Sequence, residues 1–336
     1  MKIALSVILA VVVGLFVVIE VGLRSLFGFG NPLIYIGDEQ IGYLLAPNQR
    51  TRRFGNRIEI NEYSMRGSPI KKLPTPSGLR ILLLGDSIAN GGWWTDQTNT
   101  ISSLMMRSLA SSPNSNYQEV EVLNASANSW GPRNELAYLE KFGNFNAQAV
   151  VVLLNTDDLF ATPPTSLPVG RDRNYPDRKP PLALVEVWQR YIVKQKPIPE
   201  LQAVQNESGD RVGINLEAIA KIQALTRQSN SKFLLVMTPL LREIGQPGPR
   251  DYEIKARQRL SDFTKAQQIN YIDFLPNFNS TTNPQGLFHD HIHLNLQGNK
   301  FVSEVMERSL LEMLGEASTP SGNSKFKIQN SKLQSP

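Results

Sequence analysis

A chain of 336 residues with 41% hydrophobic content has room for one large domain or two small ones and enough apolar material for a buried core, which excludes a largely disordered protein. Much of the net charge of +5 sits at the ends, with Lys325, Lys327 and Lys332 unopposed in residues 318–336, so the nearly neutral body lacks the basic face that nucleic-acid binding requires. The absence of Cys removes disulfide scaffolds, thiolate metal sites and thiol nucleophiles together.

Residues 3–19 (IALSVILAVVVGLFVVI) are uncharged and almost wholly apolar. As a helix they span roughly 25 Å, slightly less than a hydrocarbon core of about 30 Å, and Lys2 and Arg24 can snorkel to cover the difference. The run exceeds the apolar core of a typical signal peptide, and no convincing small-x-small cleavage site follows Glu20. Residues 1–24 therefore read as an uncleaved signal anchor, ahead of a cleaved signal peptide and of a buried helix of the domain. The weak charge bias leans towards a cytoplasmic amino terminus, with the body extracytoplasmic. Residues 25–79 show little regular pattern beyond one short strand at 57–60 and read as a membrane-proximal extension, closed by the turn-rich 71–78 (KKLPTPSG).

From Arg80 the rhythm changes. Buried strands are predicted at 81–84, 119–123, 149–154, 233–237 and 271–274. Helices are predicted at 100–109, 134–142, 216–225, 254–263 and 302–314. Alternation of this kind predicts parallel βαβ units, and hence an α/β domain over residues 80–317 with an open three-layer sheet. Residues 160–210 break the rhythm with Pro and charge and contain one helical stretch at 184–191. They read as a long insertion of a functional kind. Residues 318–336 read as a disordered tail.

In an open α/β sheet the active site lies at the carboxyl ends of the strands. Four polar segments fall there: 85–87, 124–131, 155–158 and 289–293. Ser87 follows a buried strand on a Gly-containing turn, a position suited either to a nucleophile or to a helix cap. His289, His291 and His293 are the only His in the chain and surround Asp290 just after the last predicted strand. They allow a general base with its orienting acid. In an extended segment they would share one face and allow a metal site, and chance remains a third reading.

Four blocks in order now resemble a family. Leu84-Gly85-Asp86-Ser87-Ile88 with Gly91-Gly92, residues 122–136 (VLNASANSWGPRNEL), residues 151–159 (VVLLNTDDL), and Asp290-His291-Ile292-His293 with Asn295 and Gly298 are similar to the blocks of GDSL, or SGNH, hydrolases. Ile60-Asn61-Glu62-Tyr63-Ser64-Met65-Arg66-Gly67 fits the membrane-anchored bacterial type. The resemblance spans about residues 36–315. It implies a flavodoxin-like parallel sheet, Ser87 as nucleophile, His293 as base, Asp290 as orienting acid and no cofactor or metal. It also implies oxyanion donors at Ser87, at Ser129 where the family has Gly, and at Asp157 where the family has Asn.

The Asp157 position is the departure, because an ionised carboxylate has no proton to donate. Three readings stay open: a carboxyl held protonated, Asn155 taking over as donor, or weak or absent catalysis. The resemblance implies an esterase or O-acyltransferase working through acyl-Ser87 on an envelope glycan or lipid ester. The alternative is a glycan-binding or assembly protein that kept the fold. A third reading, hydrolysis at a His-bound metal, stays open as well. The insertion leaves the sheet at the active-site edge, so Trp188 and Tyr191 are candidate substrate contacts; otherwise they are core residues of a packed helix.

Overall fold

A computed structural model describes residues 2–111 and 117–315. The tail expected at 318–336 lies outside them. In chain order the molecule begins with α1 (Lys2–Gly22), followed by a π-helical turn at Leu23–Phe27. By length and composition this helix can cross a membrane, and nearly all its side chains are exposed.

Two antiparallel hairpins follow: β1 (Tyr35–Asp38) with β2 (Gly42–Leu45), and β3 (Gln49–Arg53) with β4 (Asn56–Ile60). Only residues 57–60 of these were predicted as strand. β3 reads QRTRR, so its alternation carries charges rather than an apolar face. Its turn uses Phe54 and Gly55, both at positive φ, in place of the usual Asn-Gly signal. The hairpins pack into the main body. Tyr35, Tyr43, Leu45, Ile58 and Ile60 share one apolar cluster with Leu82 and Val152 of the central sheet. Tyr43 Oη donates to the Asn128 carbonyl at 2.6 Å, and Trp130 Nε1 donates to the Tyr43 carbonyl at 3.1 Å.

The body runs β5 (Gly78–Gly85), α2 (Ser87–Asn90), α3 (Ile101–Ala110), β6 (Glu119–Ser126), α4 (Pro132–Phe142) and β7 (Ala149–Asn155). It continues through α5 (Ala183–Tyr191), α6 (Pro199–Gln205), α7 (Arg211–Gln228), β8 (Lys232–Thr238), α8 (Asp251–Ala266), β9 (Asn270–Asp273), α9 (Leu275–Asn279) and α10 (Leu296–Leu314). The five strands β5 to β9 form one parallel sheet in the order β6-β5-β7-β8-β9.

The continuous apolar runs of β5 and β7 exist because both faces are covered. Leu82, Leu84, Val150 and Val152 face the layer of α4, α7 and α8. Leu79, Ile81, Leu83, Ala149 and Val151 face α3 and α10. This is the predicted three-layer α/β fold, and its carboxyl-end edge carries all four polar segments.

Candidate active site

Ser87 begins the short helix α2. Asp86 caps that helix, accepting the Ile88 N–H on Oδ1 at 2.7 Å. Gly85 is required by close approach, since a Cβ there would meet the Leu153 carbonyl oxygen and the Ala89 Cβ at 2.8 Å each. The turn thus presents the Ser87 hydroxyl at the strand end.

His293 comes from a tight loop rather than an extended segment. Phe288 and Leu294 form an isolated bridge, and the His289 N–H donates to the His293 carbonyl at 2.7 Å. Asn295 ties this loop to α10. Its Oδ1 accepts from the Gln297 and Gly298 N–H groups, and its Nδ2 donates to the Gly286 carbonyl at 2.8 Å. The arrangement that would line three imidazoles on one face is therefore not adopted, and among the described residues no group of three ligating side chains could hold a metal ion.

Ser87 Oγ lies 2.9 Å from His293 Nε2, and His293 Nδ1 lies 2.7 Å from Asp290 Oδ2. With the Asp290 carboxylate accepting from Nδ1–H, Nε2 is the nitrogen left to accept the serine proton. Asp290 Oδ1 accepts from the Ile292 and His293 N–H groups at 2.9 and 2.8 Å. Partial burial raises the Asp290 pKa, but these donors and the His293 ring outweigh it and bring it down to about 2. Burial holds the His293 pKa below its ordinary value, against the opposing pull of Asp290. The imidazole is thereby unprotonated at neutral pH, with Nε2 free to accept a proton. His291 is 86% exposed at its side chain and His289 stacks on Trp94, so only His293 reaches Ser87.

Ser87 and His293 both open into a cavity of about 300 Å³. Ser129 lines it at φ +60°, the left-handed conformation a glycine would take freely, so the substitution by Ser keeps that backbone geometry at a strain of roughly 1–2 kcal/mol. Asp157 does not line the cavity. Its carboxyl pKa is raised by partial burial and by Glu253 and Glu243, with Arg242 opposing.

Asn155, weighed as a substitute donor, is buried beneath the serine turn instead. Its Nδ2 bridges Asp86 Oδ2 at 2.8 Å and Asp158 Oδ2 at 2.9 Å, and its Oδ1 accepts the Asp157 N–H at 2.7 Å. Both ends of the amide are used in holding the two carboxyl groups. Burial raises the pKa of Asp86 to about 6, and burial together with Asp86 raises that of Asp158 well above its usual value.

From the insertion, Tyr191 lines the cavity whereas Trp188 does not. Both are exposed, at 64% and 60%, so neither is a core residue. Several lining groups were not singled out from the sequence: Arg53, Trp93, Trp94, Tyr175 and Arg190. Trp93-Trp94 directly follows the first block and was the available signal. The others arrive from hairpins and insertion whose placement no local pattern reveals.

Among solved structures, an acetylxylan esterase from Geobacillus stearothermophilus is similar at 14% identity and a TM-score of 0.45, over 74% of this chain and 98% of that one. A second acetyl xylan esterase, AlAXEase, is similar at 16% identity and a TM-score of 0.45, over 69% of this chain and all of its own. No curated protein sequence matches. The GDSL-like lipase/acylhydrolase model matches residues 83–301, a span that begins just before the Ser87 turn and ends beyond the His293 loop, and the chain belongs to that family.

Proposed function

We propose that this protein is a serine esterase or O-acyltransferase that forms an acyl-Ser87 intermediate, anchored to a membrane by α1 with its body extracytoplasmic. The observation that carries the reading is the series of two short contacts, 2.9 Å from Ser87 to His293 and 2.7 Å from His293 to Asp290, opening on one cavity. In this mechanism His293 Nε2 takes the Ser87 proton as Oγ attacks the ester carbonyl. The imidazolium is stabilised by Asp290 and returns the proton to the leaving alcohol. The N–H groups of Ser87 and Ser129 are the donors for the oxyanion, the first at the start of α2 and the second in a glycine-like turn. Water or a hydroxyl acceptor then releases the acyl group.

The substrate is read as an acyl ester of an envelope glycan or lipid. The xylan-ester activity named for the similar structures belongs to those proteins. A second reading, a binding or assembly protein with weak catalysis, is favoured by one observation: the Asp157 carboxyl is outside the cavity, which leaves the third oxyanion position without a side-chain donor. Covalent labelling by a fluorophosphonate, with Ser87→Ala as control, separates the two. Labelling of the wild type alone supports the acyl-serine route. Its absence, with the fold intact and a small probe used, favours the second reading.

A further inference from the structure

The cavity that holds Ser87 and His293 also has a cationic wall. Arg53 and Arg190 line it, and no Asp or Glu does. Arg53 is only 6% exposed; its Nη2 pairs with Glu186 and its Nη1 has no hydrogen-bond partner. The same Glu186 carboxylate accepts from Arg190 Nε at 2.9 Å and from the Gly30 N–H at 2.6 Å. One carboxylate thus serves two guanidinium groups, leaving an excess positive charge beside the cavity. A buried guanidinium nitrogen without an acceptor is costly to keep, and the Arg fork suits the paired oxygens of a phosphate or carboxylate.

The rim of the cavity points to where that anion comes from. Phe54, Trp93 and Tyr191 line it and are 43%, 44% and 64% exposed, and Phe27 beside them is 42% exposed. Ring contacts join Phe27 to Phe54 at 6.0 Å and Phe54 to Trp93 at 5.3 Å, while Phe29 touches both Phe54 and Tyr191. This patch continues from the end of α1. Glu20 near that end accepts the Ala183 and Leu184 N–H groups at 2.8 and 3.1 Å, and Arg24 donates to the Pro181 carbonyl at 3.0 Å. The amino end of α5, the helix whose last turn carries Arg190 and Tyr191, is therefore tied to the apolar helix. Exposed Trp, Tyr and Phe beside a membrane helix match the headgroup level of a bilayer.

We propose that the cavity opens on the bilayer and takes a phospholipid acyl ester, with the ester carbonyl at Ser87 and the phosphate oxygens on Arg53 and Arg190. This rests on the acyl-Ser87 reading and adds no step to it. The bond from Ser87 Oγ to the acyl carbon forms, the ester C–O bond breaks, and the lysophospholipid hydroxyl leaves with the proton His293 had taken.

The test uses the full chain in detergent, with kcat/KM measured on dihexanoylphosphatidylglycerol and on uncharged dihexanoylglycerol. A preference of about tenfold or more for the phospholipid is expected. Arg53→Met and Arg190→Gln should each collapse that ratio, with Arg53→Lys keeping part of it. Arg190→Gln leaves Glu186 paired with Arg53 and covers the case in which Arg53→Met does not fold. Calorimetric binding of dihexanoylphosphatidylglycerol to the Ser87→Ala protein, lost on adding Arg190→Gln, gives a readout independent of turnover. Equal turnover of the two esters overturns the phosphate subsite and leaves the acyl-serine reading standing. Arg-dependent binding without any turnover does the reverse. A stronger preference for a soluble acyl ester bearing a carboxylate assigns the Arg pair to another anion and overturns the lipid proposal.

Discussion

The Trp94 ring lies 4.1 Å, centroid to centroid, from the His293 imidazole, and nearly parallel to His289 at 6.1 Å. The loop that carries Trp94 is held from the amino-terminal segment by Arg66. That guanidinium is 1% exposed and donates to the Gly92 and Thr95 carbonyls at 2.7 and 2.8 Å, to the Asn90 carbonyl at 3.1 Å, and to Gln97 Oε1 at 2.8 Å. Burial lowers its pKa to about 9, with Asp96 opposing, yet it stays charged at neutral pH.

Truncating Arg66 leaves several buried acceptors unmet. Arg66→Met should lower stability by about 2–4 kcal/mol in denaturant unfolding. It should also free Trp94 from His293, rehydrate the imidazole and move the acid limb of activity upward. A loss of stability with an unmoved pH profile would confine Arg66 to a structural role.

Ser87→Ala and His293→Ala should each reduce turnover of a short acyl ester by about 10³-fold or more, because the two act as a unit. Asp290→Asn removes the acceptor that orients Nδ1–H and should also cost orders of magnitude. His289→Ala and His291→Ala should cost far less, since neither reaches Ser87. Steady-state kinetics on all five variants, with circular dichroism to confirm folding, checks the order. Inactivation by His291→Ala with His293→Ala silent would overturn the assignment.

The base must be neutral to accept the serine proton, and burial depresses the His293 pKa below 6.5. Activity should therefore rise as pH increases through a midpoint below that value and stay high at neutral pH. Asp290→Asn removes a carboxylate that raises the His293 pKa, so residual activity should show a still lower midpoint. The pH dependence of kcat/KM for both proteins measures this.

Asp157→Asn supplies the amide that the family pattern calls for, but at a side chain outside the cavity. The expected change in kcat is within about threefold at every pH, in contrast to the 10²–10³ typical of an oxyanion donor. A rise of that larger size would mean that the loop turns the amide onto the oxyanion during turnover. A comparable loss would mean that the carboxylate itself is needed.

The parallel sheet and the two ends of the site were legible in local pattern. Residues 81–84 and 149–154 are unbroken apolar runs because both faces of the sheet are covered, and Ser87 and Asp290–His293 stand where such runs end. The β3 strand was not legible, since its alternating charges give no apolar face. Asn155 and Asp157 were placed by motif position alone, and Trp188 by where the insertion leaves the sheet. Motif position does not fix whether a side chain enters the cavity, which is set by caps such as Asn155 on the Asp157 N–H.

The sequence by itself determined the sheet and the order of its four polar segments, because strand periodicity and strand-end turns are properties of neighbouring residues; Ser87, His293 and Asp290 were singled out by the resemblance of four motif blocks. Only the tertiary structure decided the 2.9 Å contact across 206 positions, the burial of Arg66 and the meeting of Arg53 with Glu186 across 133 positions. These contacts join segments far apart in the chain. Their partners are selected by how hairpins, insertion and sheet pack together, a choice that no local pattern encodes.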